Sequence, residues 1–328
     1  MTTVWERWAG SLSAAAGGLG AAAPGLALAL LLPGCEDTLG PTRLARLERL
    51  AFQPPGSCFL FAGTPGEIDC SGDRALLVDR FEVTRAEWER WAASDEVEAP
   101  GLAARAYWRG EGGDYPATGM TVSEAEAFAS DHGMRLPTPE EWIRAAAGSR
   151  AQSWPWGPYP VRSAANTLEL GLDRLAPVGS FDSGRTSLGV HDLLGNAAEW
   201  VEGSLDPALD APPGEDRVWV MGGSYRRYKR STYGRGSDGA PEFNAELLDP
   251  ETRSEDVGLR LVVDAETWLR AEAVTWPLHE EARAGLRAIG REGGRAATPL
   301  LRRLAEEMPE APGLLELLEG SQDLGGLR

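Results

Sequence analysis

The chain has 328 residues, of which 42% are hydrophobic and 25% charged, a composition typical of a soluble globular protein with one large or two modest domains. Its formal net charge of −18 excludes nucleic acid as a partner, because a polyanion would be repelled and no basic stripe compensates. Three scattered cysteines lack the paired spacing of a zinc site, and three isolated histidines do not supply a catalytic triad.

Residues 1–35 form an apolar N-terminal segment that ends at Cys35. A small residue before a cysteine is typical of bacterial lipoprotein processing, which would lipidate Cys35 and tether the protein to a membrane. Two features favour a buried helix in a cytoplasmic protein instead: Glu6 and Arg7 balance each other, and Pro33 is unusual beside such a cleavage site. A retained membrane helix is a third alternative. We expect a bacterial envelope or exported protein, with a cytoplasmic location as the alternative.

Residues 36–50 carry leucines at helical spacing between arginines, which predicts a short amphipathic helix. From residue 51 the pattern changes to two short strands, 57–61 and 75–78, separated by turn-forming residues. Cys58 and Cys70 lie in this region. They form a candidate disulfide if the protein is exported, although two buried thiols would look the same in the sequence.

Three helices follow, each beginning at a hydroxyl residue that can cap it, with an acid close behind. They are predicted over 85–93, 121–132 and 139–148. The predicted capping pairs are Thr84 with Glu87, Ser123 with Glu126, and Thr138 with the acids of the first turn.

Residues 149–216 show almost no periodicity, which predicts long functional loops or loops ordered by bound ions. Strands return at 218–221 and 258–263. Residues 264–328 have a helical composition, and we predict a helical C-terminal extension over them that serves packing or partner contact.

Motifs in a fixed order identify the central region. They are Val78–Thr84, Met134–Trp142, Leu194–Trp200 and Val220–Tyr225, with a closing Gly258–Arg260. Together they resemble the formylglycine-generating enzyme family, also called the sulfatase-modifying-factor domain, over residues 51–263. The resemblance implies an α+β fold, a loop-rich variant of the C-type lectin fold with calcium-stabilised loops. Residues 264–328 would then be a small α-helical appendage.

Active members of this family oxidise a cysteine of a client sulfatase to formylglycine, using oxygen and a copper(I) ion held by two thiolates. The matching positions here are Arg227 and Thr232. Neither a guanidinium nor a hydroxyl binds copper(I), which prefers thiolate sulfur. We therefore expect no copper and no formylglycine-generating activity. The sulfoxide synthases of thiohistidine biosynthesis, another branch, use a histidine-rich iron site in a separate helical bundle that has no counterpart here.

Two functional hypotheses remain. The first is a non-catalytic module that binds a peptide, glycan or partner protein. The second is a formylglycine-generating oxidase or another enzyme of this fold with unrecognised chemistry. In the first, the groove left without its two thiolates is lined by Tyr225, Arg227, Tyr228, Thr232 and Tyr233. Tyrosine and arginine are residue types that dominate binding hot spots. The alternative interpretation of the basic run 226–230 is solvated charge on an acidic protein.

A calcium site is predicted at the turn between Asp192 and Glu199, where two carboxylates and turn carbonyls can converge on a hard cation. The family's ligands map onto Asp192 and Glu199 by side chain, and onto Gly195 and Ala197 by backbone carbonyl. Alternatively, Glu199 pairs with an arginine. A second family site would begin at Asn166, with only Asp173 nearby as an acid.

Overall fold

The computed structural model describes residues 49–60, 67–94, 99–110, 112–148, 152–204, 216–227, 233–235, 241–272, 296–311 and 314. All of them belong to one structural unit of the chain, Leu39–Arg328. The predicted segment 1–35, with Cys35, lies outside these ranges, as does the predicted helix 36–50 except at its end. At Leu50 the predicted helix was wrong, because this residue begins a β-strand. All four residues of the strand are buried, so the strand lacks the alternation of buried and exposed side chains.

Short strands and helices are joined by long irregular segments, which confirms the predicted loop-rich α+β domain. The strands are β1 (Leu50–Gln53), β2 (Phe59–Leu60), β3 (Ile68–Asp69), β4 (Leu76–Asp79), β5 (Ala198–Trp200), β6 (Val218–Met221), β7 (Tyr233–Arg235), β8 (Pro241–Phe243), β9 (Ala245–Leu248), β10 (Val257–Gly258) and β11 (Val262–Asp264). The α-helices are α1 (Arg85–Ala92), α2 (Val122–Asp131), α3 (Pro139–Ala147), α4 (Ala265–Glu272) and α5 (296–307). Segments of 3₁₀-helix cover Ala99–Tyr107, Arg162–Ala164 and Asp182–Gly184.

Strand β4 lies at the centre of an antiparallel sheet, between β1 and β11. Successive side chains of a strand point to opposite faces of its sheet. Accordingly, Leu77 packs in one hydrophobic cluster with Leu50, whereas Val78 packs in another with Val262. This sheet therefore separates two apolar cores.

A second sheet has the strand order β10–β5–β6–β9, in which β5 runs parallel to β10 and antiparallel to β6. Ala198 and Val220 lie in the first core, whereas Met221 lies in the second. Glu199 is the register partner of Met221 and follows Ala198, so it points away from the Ala198 face. This arrangement buries a carboxylate on one side of the sheet and leaves the other side for a groove.

Helices α1 and α3 begin as predicted, each with a capping box. In α2 the predicted pairing of Ser123 with Glu126 was wrong. The cap is Thr121, whose extended backbone lets its side chain accept from the Glu124 amide while the Glu124 carboxylate accepts from the Thr121 amide. Ser123 is already helical, so it cannot serve as the cap.

The described C-terminal helices pack into the first core. Helix α4 follows β11 directly and buries Leu269, while α5 adds Leu301 and Leu304, all no more than 1% exposed. The predicted helix 278–289 lies outside the described residues. Within the described part of the chain, no helix combines the length and apolar character that a membrane crossing requires.

Candidate functional site

A groove of about 510 Å³ opens beside the Gly-Gly-Ser-Tyr motif. Its floor is one face of the four-stranded sheet, where Ala198, Val220 and Leu248 project from neighbouring strands. Its wall carries polar side chains that come from three separate segments. These polar residues are Ser224, Asn244, Thr252, Ser254 and Asp256.

Asp256 binds both serine hydroxyls of the groove. Ser224 Oγ donates to Asp256 Oδ2 at 2.7 Å, and Ser254 Oγ donates to Asp256 Oδ1. The amide of Arg226 in turn donates to Ser224 Oγ at 3.2 Å. Neither of the two histidines within the described ranges lines the groove. The described residues therefore give these serines an acceptor, but not the adjacent base that activates a serine nucleophile.

Two arginines at the rim of the groove, Arg226 and Arg227, each form an ion pair. Arg227 Nη2 pairs with Glu246, with side chains 57% and 47% exposed. Arg226 pairs with Glu255, and its guanidinium lies over the Tyr225 ring, 5.4 Å from the centroid. The Arg227–Glu246 pair is exposed on both sides, and exposed pairs stabilise a fold by about 0–1 kcal/mol. A ligand group can therefore replace one partner with little loss of stability.

The predicted groove residues have different outcomes. Arg227 lines the groove. Tyr225 does not, contrary to the prediction, because its ring is 6% exposed and packs into a small apolar cluster beneath the surface. Tyr228 and Thr232 lie outside the described residues, and Tyr233 is described only as the first backbone position of β7.

The groove acids were not predicted from the sequence. Glu246 lies on β9 and Asp256 in the loop before β10, both distant along the chain from the motif they adjoin. Neither acid belongs to a motif that the sequence revealed, so no local signal indicated its position. Ser224 was visible within the motif, but its contact with Asp256 spans 32 residues.

On the opposite side of the sheet, Glu199 is half of a buried ion pair, the alternative that the sequence left open. Arg260 Nη2 donates to Glu199 Oε1 at 2.7 Å, and Trp142 Nε1 donates to Glu199 Oε2 at 2.8 Å. Arg260 also donates to the carbonyl oxygens of Asp79 and His191, both at 2.8 Å. Glu199 and Arg260 are each 1% exposed. Breaking such a pair leaves an isolated buried charge and costs about 3–5 kcal/mol.

Two further buried carboxylates, Glu82 and Asp192, lie within hydrogen-bond reach of each other beside this ion pair. Glu82 Oε1 accepts from Asn196 Nδ2 at 2.9 Å, whereas Glu82 Oε2 has no hydrogen-bond partner. Asp192 Oδ2 accepts from the amide of Gly179 at 2.7 Å. Burial and the charge of Asp192 raise the pKa of Glu82 well above its ordinary value, and burial raises the pKa of Asp192 to about 6.

The predicted calcium ligands Asp192, Gly195, Ala197 and Glu199 lie on or beside one turn. Gly195 has φ +83°, and a Cβ there would lie 2.4 Å from the carbonyl oxygen of Asn166, so the turn requires glycine. However, both oxygens of Glu199 are bound by a guanidinium and an indole. Among the described residues, no group of three or more acidic, histidine or cysteine side chains is arranged to hold a metal. The predicted set therefore does not fit a cation with Glu199 as a ligand.

At the second predicted site, Asn166 is completely buried. Its Nδ2 donates to the Arg174 carbonyl at 2.9 Å and to Asn196 Oδ1 at 3.0 Å, and its Oδ1 has no hydrogen-bond partner. Asp173 is exposed and has φ +52°. A cation at this position stays a prediction.

Cys58 and Cys70 are joined by a disulfide, with their Cα atoms 4.8 Å apart. The bond closes the β2–β3 hairpin, where the Cys70 amide donates to the Cys58 carbonyl at 2.7 Å. Both residues are 1% exposed and pack in the second core with Trp142 and Ile143 of α3. The disulfide therefore fastens the hairpin next to the helix that supplies the indole to Glu199.

These features define a loop-rich α+β domain with a groove beside a Gly-Gly-Ser-Tyr motif. Residues 70–265 match the model of the sulfatase-modifying factor enzyme 1-like domain, and the chain belongs to this family. The resemblance seen in the motifs is thereby confirmed.

The curated relatives of the chain are named after different activities, and one is named as inactive. It is 29% identical over 216 residues to a hercynine oxygenase of Mycolicibacterium smegmatis, covering 56% of this chain and 47% of the relative. It is 27% identical over 186 residues to inactive C-alpha-formylglycine-generating enzyme 2 of Mus musculus, covering 49% of this chain and 56% of the relative. Similarity to the curated relatives therefore spans about half of their length. The structure of PvdO from Pseudomonas aeruginosa covers 66% of this chain and 94% of its own, with a TM-score of 0.49 and 18% identity.

Proposed function

We propose that this protein is a pseudoenzyme of the family, which binds a ligand in the groove without oxidising it. One observation carries the proposal. Arg227 lines the groove at a position where copper-dependent members have a thiolate, and Glu246 binds its guanidinium. A guanidinium is a cation without a donor lone pair, so it repels copper(I) and cannot coordinate it.

The groove chemistry favours a ligand with an apolar group and a charged or hydroxyl-rich group. Ala198, Val220 and Leu248 offer an apolar floor, and the wall offers hydroxyl and carboxylate acceptors. An extended peptide, a glycan or a segment of a partner protein meets this description. The similarity to a relative named as inactive supports a binding role without catalysis.

The proposal is tested by incubating the purified protein with copper(I), oxygen and a peptide that carries the sulfatase motif, followed by mass spectrometry. We expect the peptide cysteine to stay unmodified and copper(I) to bind no tighter than to a matched Arg227→Ala variant. Formylglycine in the product would refute the proposal. Binding is tested separately on an array of peptides and glycans, where Arg227→Ala and Glu246→Ala should each weaken the strongest interaction.

An enzymatic function is the alternative, favoured by similarity to proteins named hercynine oxygenases. Oxygen consumption by the purified protein supplied with iron(II), hercynine and a thiol as sulfur donor tests this alternative directly. Consumption that depends on both protein and hercynine would replace the binding proposal with an oxygenase. Consumption equal to the protein-free control would leave the binding module as the function.

We also propose an exported or envelope location, with Cys35 as the lipidated residue. The Cys58–Cys70 disulfide supports it, because disulfides persist in oxidising compartments. The mass of the native N-terminal peptide tests the location. An unmodified Cys35 within an intact N-terminus, in protein recovered from the cytoplasm, would contradict it.

A further inference from the structure

One charged side chain of the groove has no counter-ion among the described residues. At the rim, Arg226 pairs with Glu255 and Arg227 pairs with Glu246, so each guanidinium is neutralised within the protein. Asp256 lies on the wall of the same groove and forms no ion pair with any described residue. Two serine hydroxyls are the side-chain groups that bind its carboxylate. The wall of the groove therefore carries a negative charge that the described part of the chain does not balance.

The hydrogen bonds around Asp256 leave a cluster of oxygen atoms that can only accept. An ionised carboxylate has no proton to donate, so the hydroxyl protons of Ser224 and Ser254 both go to Asp256. Each hydroxyl has a single proton, and these oxygens can therefore offer a ligand only lone pairs. Ser224 Oγ already accepts from the Arg226 amide at 3.2 Å, whereas Ser254 Oγ accepts from no described group. A ligand group that binds here must carry hydrogen-bond donors, and a positive charge favours it further.

This acceptor cluster adjoins the apolar floor of the groove. Asp256 directly precedes β10, in which Val257 is the register partner of Ala198. The Ala198 amide also donates to the carbonyl oxygen of Asp256 at 2.9 Å. Val220 and Leu248 extend the floor from the neighbouring strands. A ligand group that matches both parts has an aliphatic stem and a cationic end, as the side chain of lysine has.

We propose that the groove binds a primary ammonium group on an aliphatic stem, that of a lysine side chain in a partner protein or peptide, with Asp256 as its counter-ion. The inference rests on the proposed binding function and names the ligand group that the groove selects. An ammonium group carries only N–H donors on a flexible stem, so it can meet Asp256 and Ser254 Oγ while its methylene groups lie on the floor. The net charge of −18 also favours a basic partner, because opposite charges speed association.

Short peptides with blocked ends test the ligand group on the wild-type protein, with fluorescence anisotropy of a neutral dye as the measurement. Each peptide carries lysine, trimethyllysine, norleucine or glutamate between alanines. The lysine peptide should bind at least about tenfold more tightly than the norleucine peptide, which keeps the stem and lacks the charge. It should exceed the trimethyllysine peptide by a similar factor, because trimethyllysine keeps the charge but has no N–H. Equal binding of the lysine peptide and either of these two, or tighter binding of the glutamate peptide, would overturn the proposal.

Asp256→Asn tests the counter-ion. It should weaken binding of the lysine peptide at least about tenfold, because it replaces a charged acceptor with a neutral amide. Asp249→Asn is the matched control, since it removes the same charge from an exposed position in the same loop. The new amide keeps an oxygen that can accept from the Glu251 amide, as Asp249 Oδ1 does at 2.8 Å. The control should keep the affinity within about twofold, and an equal loss in both variants would show that binding follows net charge instead of the groove.

The array of peptides and glycans separates this inference from the binding function. A strongest ligand that contains lysine and is weakened by Asp256→Asn would support both. A strongest ligand without an amine, weakened by Arg227→Ala but not by Asp256→Asn, would overturn the ammonium group and keep the binding function. A wild-type protein that does not bind the lysine peptide at millimolar concentration would also overturn the ammonium group.

Discussion

The backbone amide of Tyr225 donates to the carbonyl oxygen of Asn196 at 3.0 Å, so the groove motif is fixed to the turn that carries the buried carboxylates. The Asn196 side chain extends this connection. It donates to Glu82 Oε1 at 2.9 Å and accepts from Asn166 Nδ2 at 3.0 Å and from the Ala176 amide at 2.9 Å. One buried residue therefore joins the groove motif, the carboxylate cluster and the preceding loop by hydrogen bonds.

Asn196→Ala should lower the free energy of unfolding by about 3 kcal/mol. The change removes four side-chain hydrogen bonds, to Glu82, Asn166 and both backbone groups of Ala176, each worth about 0.5–1.5 kcal/mol, and leaves buried partners unsatisfied. It also places alanine at φ +59°, which is less tolerant than asparagine of this conformation. Urea denaturation measures the effect. The exposed Asp182→Ala is the control and should change stability by less than about 0.5 kcal/mol. A loss below about 1 kcal/mol for Asn196→Ala would contradict the role given to this side chain.

Local signals were sufficient for the parts of the fold that depend on nearby residues. The helix starts could be predicted because a cap and its acid lie three residues apart, and only α2 was displaced, where a second hydroxyl competed. The buried charges could not be predicted in the same way. Arg260 meets Glu199 across 61 residues, and Asn196 meets Glu82 across 114. Each of these residues lies in a recognised motif, but a motif does not say which of its members will touch.

Leu304→Ala tests the finding that the C-terminal helices belong to the first core. Leu304 is completely buried, so its truncation should lower the free energy of unfolding by about 2–5 kcal/mol, through lost burial and the cavity left behind. Arg302→Ala on the exposed side of α5 should stay within about 0.5 kcal/mol. Equal stability of the two variants would mean that α5 does not contribute to the first core.

Acidification should loosen α5 from α4. Hydrogen bonds from Arg303 and then Arg270 lower the pKa of Glu266 to about 2. A lowered carboxyl pKa gives stability that is present above the ordinary value of 4.5 and is lost as the pH falls toward 2. The network is substantially exposed, so we expect a modest effect, reduced further by salt.

Amide hydrogen exchange over 296–307, corrected for intrinsic rates, measures this loosening between pH 5 and pH 2.5. Protection should fall with pH in the wild type. In Glu266→Gln it should be lower at pH 5 and fall less with pH, although Glu307 still pairs with Arg270 and Arg303. A wild-type profile as flat as that of the variant would show that the ion pairs do not hold the two helices together.

The Cys58–Cys70 disulfide should stabilise the fold by about 3 kcal/mol, because it closes a short loop and restricts the unfolded chain. A double change of Cys58 and Cys70 to alanine should lower the urea midpoint accordingly. Reducing agent should destabilise the wild type and leave the double variant unaffected. A wild type that responds no more than the variant would indicate that the two sulfurs are not bonded in solution.

Restoring sulfur to the groove tests whether Arg227 and Thr232 stand where active relatives have thiolates. Copper(I) takes thiolate sulfur, ideally two in near-linear arrangement, so Arg227→Cys combined with Thr232→Cys should bind one copper(I) per chain. Competition with a colorimetric copper(I) chelator measures the binding. Arg227→Cys alone supplies a single thiolate and should compete much more weakly. Because Arg227 is more than half exposed and its ion pair with Glu246 adds little stability, both variants should fold like the wild type. A double variant that competes no better than the single one would mean that the two positions do not face each other, and the groove would then not be a vacated copper site.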